Sequence, residues 1–187
     1  MKSNLKLFYL LLGCTPANRH TEQHDVFFCI GESLSLIKED IAAFWHDGGK
    51  IHIDCWREVA SVDGYEVSIC DRDDAEEKSE NLFFINLGGY LPDSFEEHHY
   101  KLLTVTKDMA GAVSKAKQTK FYIDYNTDDK KGVSHVDNKY GVDVDEIFNV
   151  EDILPQHQKE KFAIQLTKKE NLTEDQLHIG YLKWSNI

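Results

Sequence analysis

The amino-acid sequence predicts an α+β fold built from two repeated strand-strand-helix-strand-strand units, with mainly antiparallel sheets and a pseudo-twofold arrangement. The first observation behind this prediction is that the apolar run LFYLLLG at residues 7–13 recurs as LFFINLG at residues 82–88. The second is that a Glu-x-His motif follows each run. The spacing of 75 residues is the same for both features, which indicates an internal duplication. The motifs are Glu22 with His24, and Glu97 with His99.

The first unit covers residues 1–71, and its elements follow from the apolar pattern in chain order. A continuous apolar run is typical of a central strand, and apolar residues three and four apart indicate a helix. Strict alternation indicates a strand with one buried face. The predicted elements are a strand near 5–12, a strand over 25–30, a helix capped by Ser33, a strand beginning at Ile51 and a hairpin with its turn at Asp63-Gly64.

The second unit covers residues 81–168 and repeats this order after a hydrophilic linker at 72–80. A polar insertion at 124–141 separates its helix from the strand that follows. The C-terminal tail, residues 169–187, is rich in apolar residues. We therefore expect it to pack back on the domain as a short helix or an edge strand.

Two alignments relate the strands that follow the two helices. In the first, GVDVDEIFNV aligns without gaps on KIHIDCWREV and pairs Asp145 with Asp54. In the second, His135 is paired with His52. The first alignment keeps the longer alternating pattern, so we prefer it.

The net charge of −12 and the lack of a basic patch disfavour binding to nucleic acid. An acidic surface favours solubility, cations or a basic protein partner. We expect the partner to be a basic protein or a small ligand. No segment approaches the length of a membrane span. The cysteines show no C-x-x-C spacing, and three lie in strand-like runs, which is typical of reduced core residues in a cytoplasmic protein. They are Cys14, Cys29, Cys55 and Cys70.

The N-terminal segment resembles a lipoprotein signal, with two lysines, a short apolar run and Cys14 after Gly13. The same apolar run recurs at residues 82–88, where no signal can lie. We therefore interpret this segment as a strand of the fold.

Several motifs, in this order, resemble the bacterial domain-of-unknown-function family 1543, in two tandem copies. They are LFYLLLG, Glu22-x-His24-Asp25, His52-x-Asp54 and Val62-Asp63-Gly64-Tyr65, followed by Asn86-Leu87-Gly88-Gly89, Glu97-x-His99 and Val142-Asp143-Val144-Asp145. Two positions depart from the shared pattern, since Cys14 replaces the second glycine and Tyr100 stands in place of Asp25. The resemblance implies a bacterial cytoplasmic protein and does not assign a reaction.

The candidate site consists of the Glu-x-His motifs and the polar residues of the later strands. Residues two apart on a strand point to the same side, so each motif presents an imidazole and a carboxylate together. Such a set can hold a divalent metal of the zinc, iron or manganese type, or it can form a hydrogen-bonded structural cluster. The predicted ligand-binding residues are Glu22, His24, Asp25, Glu97 and His99, and the predicted metal ligands are His24, His52, Asp54, Asp143 and Asp145.

Other catalytic and metal-binding patterns are weaker. Residues 124–135 match the first three ligand positions of a calcium loop but lack its central glycine and its final glutamate. No nucleophile elbow, Walker loop, dinucleotide fingerprint or H-E-x-x-H motif is present. Either Cys29 or Cys55 would need a histidine partner to act as a nucleophile, and the second unit has no cysteine at the matching positions.

The sequence therefore leaves the function unknown and ranks three hypotheses. The first is a non-enzymatic ligand-binding or protein-interaction module that needs no cofactor. The second is a divalent-metal-dependent hydrolase or transferase that uses the His/Glu/Asp cluster. The third is an acidic immunity or inhibitor protein.

Overall fold

The structure is a computed structural model, and it describes residues 4–90, 95–125 and 144–187. The chain divides into two compact units, the first formed by Met1–Glu77 with Glu151–Ile187 and the second by Lys78–Val150. Within the described residues every strand pairing is antiparallel. The prediction of a mixed fold of helices and mainly antiparallel sheets is confirmed.

The described residues form strands that are interrupted by a few short helices. The strands are β1 (Lys6–Cys14), β2 (Gln23–Gly31), β3 (His52–Glu58), β4 (Ser61–Val62), β5 (Tyr65–Asp71), β6 (Asn81–Tyr90), β7 (Glu97–Thr106), β8 (Val144–Asn149), β9 (Phe162–Lys168) and β10 (His178–Lys183). The helices are α1 (Lys38–Phe44), α2 (Met109–Ala116), α3 (Lys120–Tyr125) and α4 (Gln156–Lys161). None of these helices has the length and apolar character needed to cross a membrane.

The first unit contains a four-stranded sheet in the order β10-β3-β1-β2. Alternate residues of β1, namely Phe8, Leu10 and Leu12, point to one face and are almost fully buried. They pack in one core cluster with Ile41 of α1 and with Ile53. A smaller sheet of the same unit has the order β4-β5-β9.

The second unit contains a three-stranded sheet in the order β7-β6-β8. Its central strand β6 buries alternate residues against helix α2, which is capped at its N-terminus by the Asp108 carboxylate. The core cluster consists of Phe83, Ile85, Leu87, Ala112, Ala116 and Tyr122.

The central strands β1 and β6 pair with their neighbours in matching registers. Gly13 lies opposite His24 in the β1–β2 pair, and Gly88 lies opposite His99 in the β6–β7 pair. In the other pairings, Leu12 faces Ile53 and Leu87 faces Val144. These pairings agree with the alignment that places Asp145 on Asp54.

Strand β9 lies in the predicted second repeat but pairs with β5 inside the first compact unit. The compact units therefore divide the chain differently from the repeat boundaries predicted at 81–168. In the tail, β10 is an edge strand beside β3. Most of the predicted insertion at 124–141 and the calcium-like loop lie outside the described residues.

The first helical segment differs in detail from its prediction. It begins as a 3₁₀ turn at Leu34–Ile37 and continues as α1. The side chain of Ser33 does not cap it, and its hydroxyl is hydrogen-bonded to the hydroxyl of Ser35.

Candidate functional site

Gly13 of the central strand β1 lies between two histidines. It is opposite His24 of β2 on one side and opposite His52 of β3 on the other. A Cβ atom at Gly13 would lie 2.4 Å from His52 Nε2 and 2.8 Å from Asp54 Oδ2. The missing side chain therefore leaves the space into which these groups converge.

Four side chains form what we call the first cluster: Glu22, His24, His52 and Asp54. His52 Nε2 lies 3.0 Å from Glu22 Oε1 and 3.2 Å from Asp54 Oδ1. His24 Nε2 lies 3.5 Å from Glu22 Oε2 and 3.2 Å from Asp54 Oδ2. Imidazoles and carboxylates thus alternate around a ring, with each histidine facing both carboxylates.

The inner atoms of this ring are not satisfied by ordinary hydrogen bonds. His52 Nε2 and Asp54 Oδ2 are buried and make no hydrogen bond to any residue that the structure describes. His52 Nε2 nevertheless lies within ion-pair distance of two carboxylate oxygens, at 3.0 and 3.2 Å. A buried polar atom without such a bond costs about 1–3 kcal/mol, which is evidence of a missing partner.

A β-bulge places Asp54 in the first cluster. Leu12 pairs with Ile53 and Leu11 pairs with Cys55, so Asp54 is the extra residue on β3. The regular alternation expected of the strand that begins at Ile51 therefore stops at the bulge, and Trp56 packs against the core cluster. Because of the bulge, Asp54 faces the first cluster although Trp56, only two residues later, packs against the core.

The first cluster is open on one side and closed on the other. The side chains of His24 and Glu22 are 45% and 44% exposed, whereas that of His52 is 6% exposed. Tyr181 of β10 packs on the His52 ring with 4.3 Å between ring centroids. Neither Gly13 nor Tyr181 was recognised from the sequence as part of the site, although the glycine of the recurring LFYLLLG run was a usable signal.

The second cluster consists of Glu97, His99 and Asp145. His99 Nε2 lies 3.7 Å from Glu97 Oε2 and 3.5 Å from Asp145 Oδ2. Across residues 4–90, 95–125 and 144–187, this is the set whose ligand atoms all lie within 4.8 Å of one another. A Cβ atom at Gly88 would meet Asp145 Oδ2 and would lie 2.7 Å from Glu97 Oε1. Asp145 is also the extra residue of a bulge, since Asn86 pairs with Glu146 and Leu87 with Val144.

One described residue among the predicted site residues, Asp25, does not join the clusters. Asp25 is next to His24 on β2, so it faces the other side of the sheet, and its carboxylate accepts a hydrogen bond from the Val26 N–H at 2.7 Å. Asp143 lies outside the described residues.

Two of the four cysteines, Cys14 and Cys29, are unsuited to act as nucleophiles. None of the four forms a disulfide. Burial raises the pKa of Cys29 far above its usual range, and burial, Asp47 and Glu22 raise the pKa of Cys14. Both thiols are therefore protonated at neutral pH and are poor nucleophiles.

The fold and the clusters define a class of protein: an antiparallel α+β protein in which a glycine of a central strand faces a His/carboxylate cluster. Residues 19–69, which include all four members of the first cluster, match the family described as Domain of Unknown Function (DUF1543). This match supports the resemblance seen in the sequence. No match is found among the curated proteins.

Solved structures of similar fold exist. One is the crystal structure of a protein Il1583 from Idiomarina loihiensis, which aligns with a TM-score of 0.63 and 20% identity. The alignment covers 96% of this chain and 97% of that chain. At this identity the likeness concerns the fold alone.

Proposed function

We propose that this protein is a non-enzymatic binding module for divalent transition-metal ions, with the first cluster as its principal site. The observation that carries the proposal is the alternating ring of two imidazoles and two carboxylates, in which His52 Nε2 and Asp54 Oδ2 are buried and make no hydrogen bond to a described residue. Two nitrogen and two oxygen ligands suit zinc, iron or manganese.

The distances in the ring support this assignment. A tetrahedral ion with bonds of about 2.0 Å holds neighbouring ligand atoms about 3.3 Å apart. The four imidazole-to-carboxylate contacts are 3.0–3.5 Å. Unlike the second cluster, the described first cluster has no three ligand atoms that all lie within 4.8 Å of one another, so metal binding requires Glu22 to move inward. The side chain of Glu22 is 44% exposed, and Glu22 lies just before the start of β2, so the side chain is free to move inward.

The first test is metal analysis of protein purified without an affinity tag, followed by thermal unfolding of chelator-treated protein with added Zn²⁺. At a free concentration 100 times the Kd, binding stabilises by about 2.7 kcal/mol, which corresponds to a rise in Tm of about 5–10 °C. Absence of stoichiometric metal together with an unchanged Tm for Zn²⁺, Mn²⁺ and Fe²⁺ would refute the proposal.

Variants locate the metal. Because His24 is a half-exposed ligand, we expect His24→Ala to lower Zn²⁺ affinity by about 100-fold or more while the apo protein stays folded. His46→Ala is the matched control, since His46 is an exposed histidine of the same unit. Equal affinities for the two variants would place the metal elsewhere.

Metal-dependent hydrolysis is a second candidate, favoured by the half-exposed side of the first cluster. A Zn²⁺ held by three of the four ligands, with a water in place of the exposed Glu22 carboxylate, would lower the pKa of that water to about 7. Turnover of p-nitrophenyl phosphate or acetate by zinc-loaded protein, lost in His24→Ala, would support hydrolysis. Equal rates for wild type and this variant would attribute the turnover to free metal or a contaminant.

We further propose that the chain contains two tandem copies of one unit, related by a pseudo-twofold axis, in a bacterial cytoplasmic protein. Support for duplication comes from the shared glycine-to-histidine register and from the bulge at the same place in each sheet. The four free thiols support a reducing compartment. A basic protein partner, and with it the inhibitor hypothesis, rests on the net charge of −12 alone.

A further inference from the structure

A groove of about 470 Å³ lies beside strand β10 in the first unit. Its walls include Ile51, Tyr181, Trp184 and two lysines, Lys50 and Lys183. This volume lies within the range of small-molecule sites, roughly 300–1,000 Å³. Apolar and aromatic walls with a few polar groups are also typical of such sites.

The charge of this groove differs from that of the molecule. The chain carries a net charge of −12, yet the charged side chains of the groove are two ammonium groups. Both lysines are exposed, and neither has an ion pair with a carboxylate of the described residues. A cleft lined by charges of one sign attracts the opposite ion, so two ammonium groups in one groove favour an anion from solution.

The groove adjoins the first cluster through β10. Lys183 is the cross-strand partner of His52, and Tyr181 packs on the His52 ring. Tyr181 therefore separates the groove from the cluster by the thickness of one ring.

The aromatic walls define the rest of the ligand. Trp184 packs against the core cluster and is held by the Lys38 ammonium, which donates to the Trp184 carbonyl at 3.0 Å and lies 5.0 Å from the ring centroid. A tryptophan fixed in this way provides a rigid apolar wall. A ligand that has a charge but no apolar body would make no contact with this wall.

We propose that this groove binds a small organic anion, a phosphate or carboxylate group on a planar apolar body. The anionic group lies between Lys50 and Lys183, and the planar body packs against Tyr181 and Trp184. The site stands on its own lining residues and does not require a metal in the first cluster.

The test uses 1-naphthyl phosphate, 1-naphthoate, neutral 1-naphthol and inorganic phosphate as probes of chelator-treated protein. Calorimetry gives the Kd, and the indole N–H resonance of Trp184, assigned with Trp184→Phe, reports the location. We expect one or both naphthyl anions to bind at least about tenfold more tightly than 1-naphthol and inorganic phosphate. The reason is that 1-naphthol lacks the anionic group and inorganic phosphate lacks the planar apolar body. The Trp184 resonance should shift more than those of Trp45 and Trp56.

The double variant Lys50→Met/Lys183→Met should lower the affinity for the naphthyl anions by at least about tenfold, since both charged partners are removed. Lys168→Met is the matched control, an exposed lysine of the same unit away from the groove. Both substitutions are at exposed positions, and the Tm checks that the variants fold. Unchanged affinity in the double variant, equal binding of 1-naphthol, or no binding of any naphthyl anion would overturn the proposal. Because the protein is metal-free, each of these results is independent of metal binding at the first cluster.

Discussion

At the residue scale, single side chains determine what the two sheets can do. Gly13 leaves space for the first cluster because it has no side chain. Gln158 pairs with a strand edge because its amide offers both a donor and an acceptor. Gln158 is 3% exposed and lies on α4, where it reaches the edge strand β2. Its Oε1 accepts a hydrogen bond from the Ile30 N–H at 2.7 Å, and its Nε2 donates to the Ile30 carbonyl at 2.9 Å. The amide thus pairs with the edge strand β2 as a further strand residue would, and α4 covers the edge at this point.

We expect Gly13→Ala to weaken metal binding at the first cluster by at least about tenfold, because the new methyl group would occupy the space of His52 Nε2. Overpacking should also lower the free energy of unfolding by about 1–3 kcal/mol. Calorimetric Zn²⁺ titration and denaturant unfolding measure the two effects separately. The control is Gly64→Ala, where φ is +79° and no atom lies within 4 Å of the added Cβ. That variant should lose stability through backbone strain and keep its metal affinity, so a parallel loss of affinity in both variants would contradict the prediction.

Gln158→Ala should lower the free energy of unfolding by about 2–4 kcal/mol, because the buried N–H and carbonyl of Ile30 would lose their partners. Gln156→Ala is the matched control on the same helix, since the amide of Gln156 is exposed and reaches only Glu160. We expect it to change stability by less than about 0.5 kcal/mol. Urea unfolding of the two variants measures the difference, and similar values would show that the amide of Gln158 is not required at the edge.

At the scale of elements, β-bulges and the C-terminal edge strand β10 position the side chains of the candidate sites. The bulges in β3 and β8 give each sheet an aspartate on the face of its histidine. Strand β10 covers β3 and carries its own irregularity, because Ile179 pairs with Cys55 and Leu182 pairs with Ile53. This strand protects the edge of the main sheet and supports both the first cluster and the groove.

The docking of β10 can be measured with two substitutions. Leu182 packs against the core cluster, whereas Ile179 is 82% exposed. We expect Leu182→Ala to lower the free energy of unfolding by about 2 kcal/mol and Ile179→Ala to change it by less than about 0.5 kcal/mol. The variants are compared by denaturant unfolding. Equal losses would mean that β10 does not bury Leu182 as described.

At the scale of the whole molecule, each of the two compact units contains one cluster. The first cluster has two imidazoles and two carboxylates, and the described second cluster has one imidazole and two carboxylates. More imidazole favours zinc, and more carboxylate favours harder ions such as manganese. The units should therefore differ in metal preference.

We expect the wild-type chain to bind two divalent ions with different affinities, with the tighter Zn²⁺ site in the first unit. His99→Ala should remove the weaker Zn²⁺ site and leave the tighter one, and His24→Ala should do the reverse. Calorimetry with metal analysis after dialysis gives the stoichiometry. A single ion that is lost in both variants would contradict two independent sites.

The sequence by itself determined the strands, the mixed fold and the residue types of the site. Apolar runs and alternation are local properties, and the Glu-x-His spacing places both side chains on one face whatever the strand pairs with. The tertiary structure alone decided that Gly13 lies between His24 and His52, that Asp54 joins them through a bulge, and that Tyr181 comes from a strand more than 120 residues away. Strand pairing and bulges depend on hydrogen bonds between segments distant in sequence, which no local pattern records. For the same reason β9 pairs with β5 in the first unit, although the repeat pattern assigned it to the second.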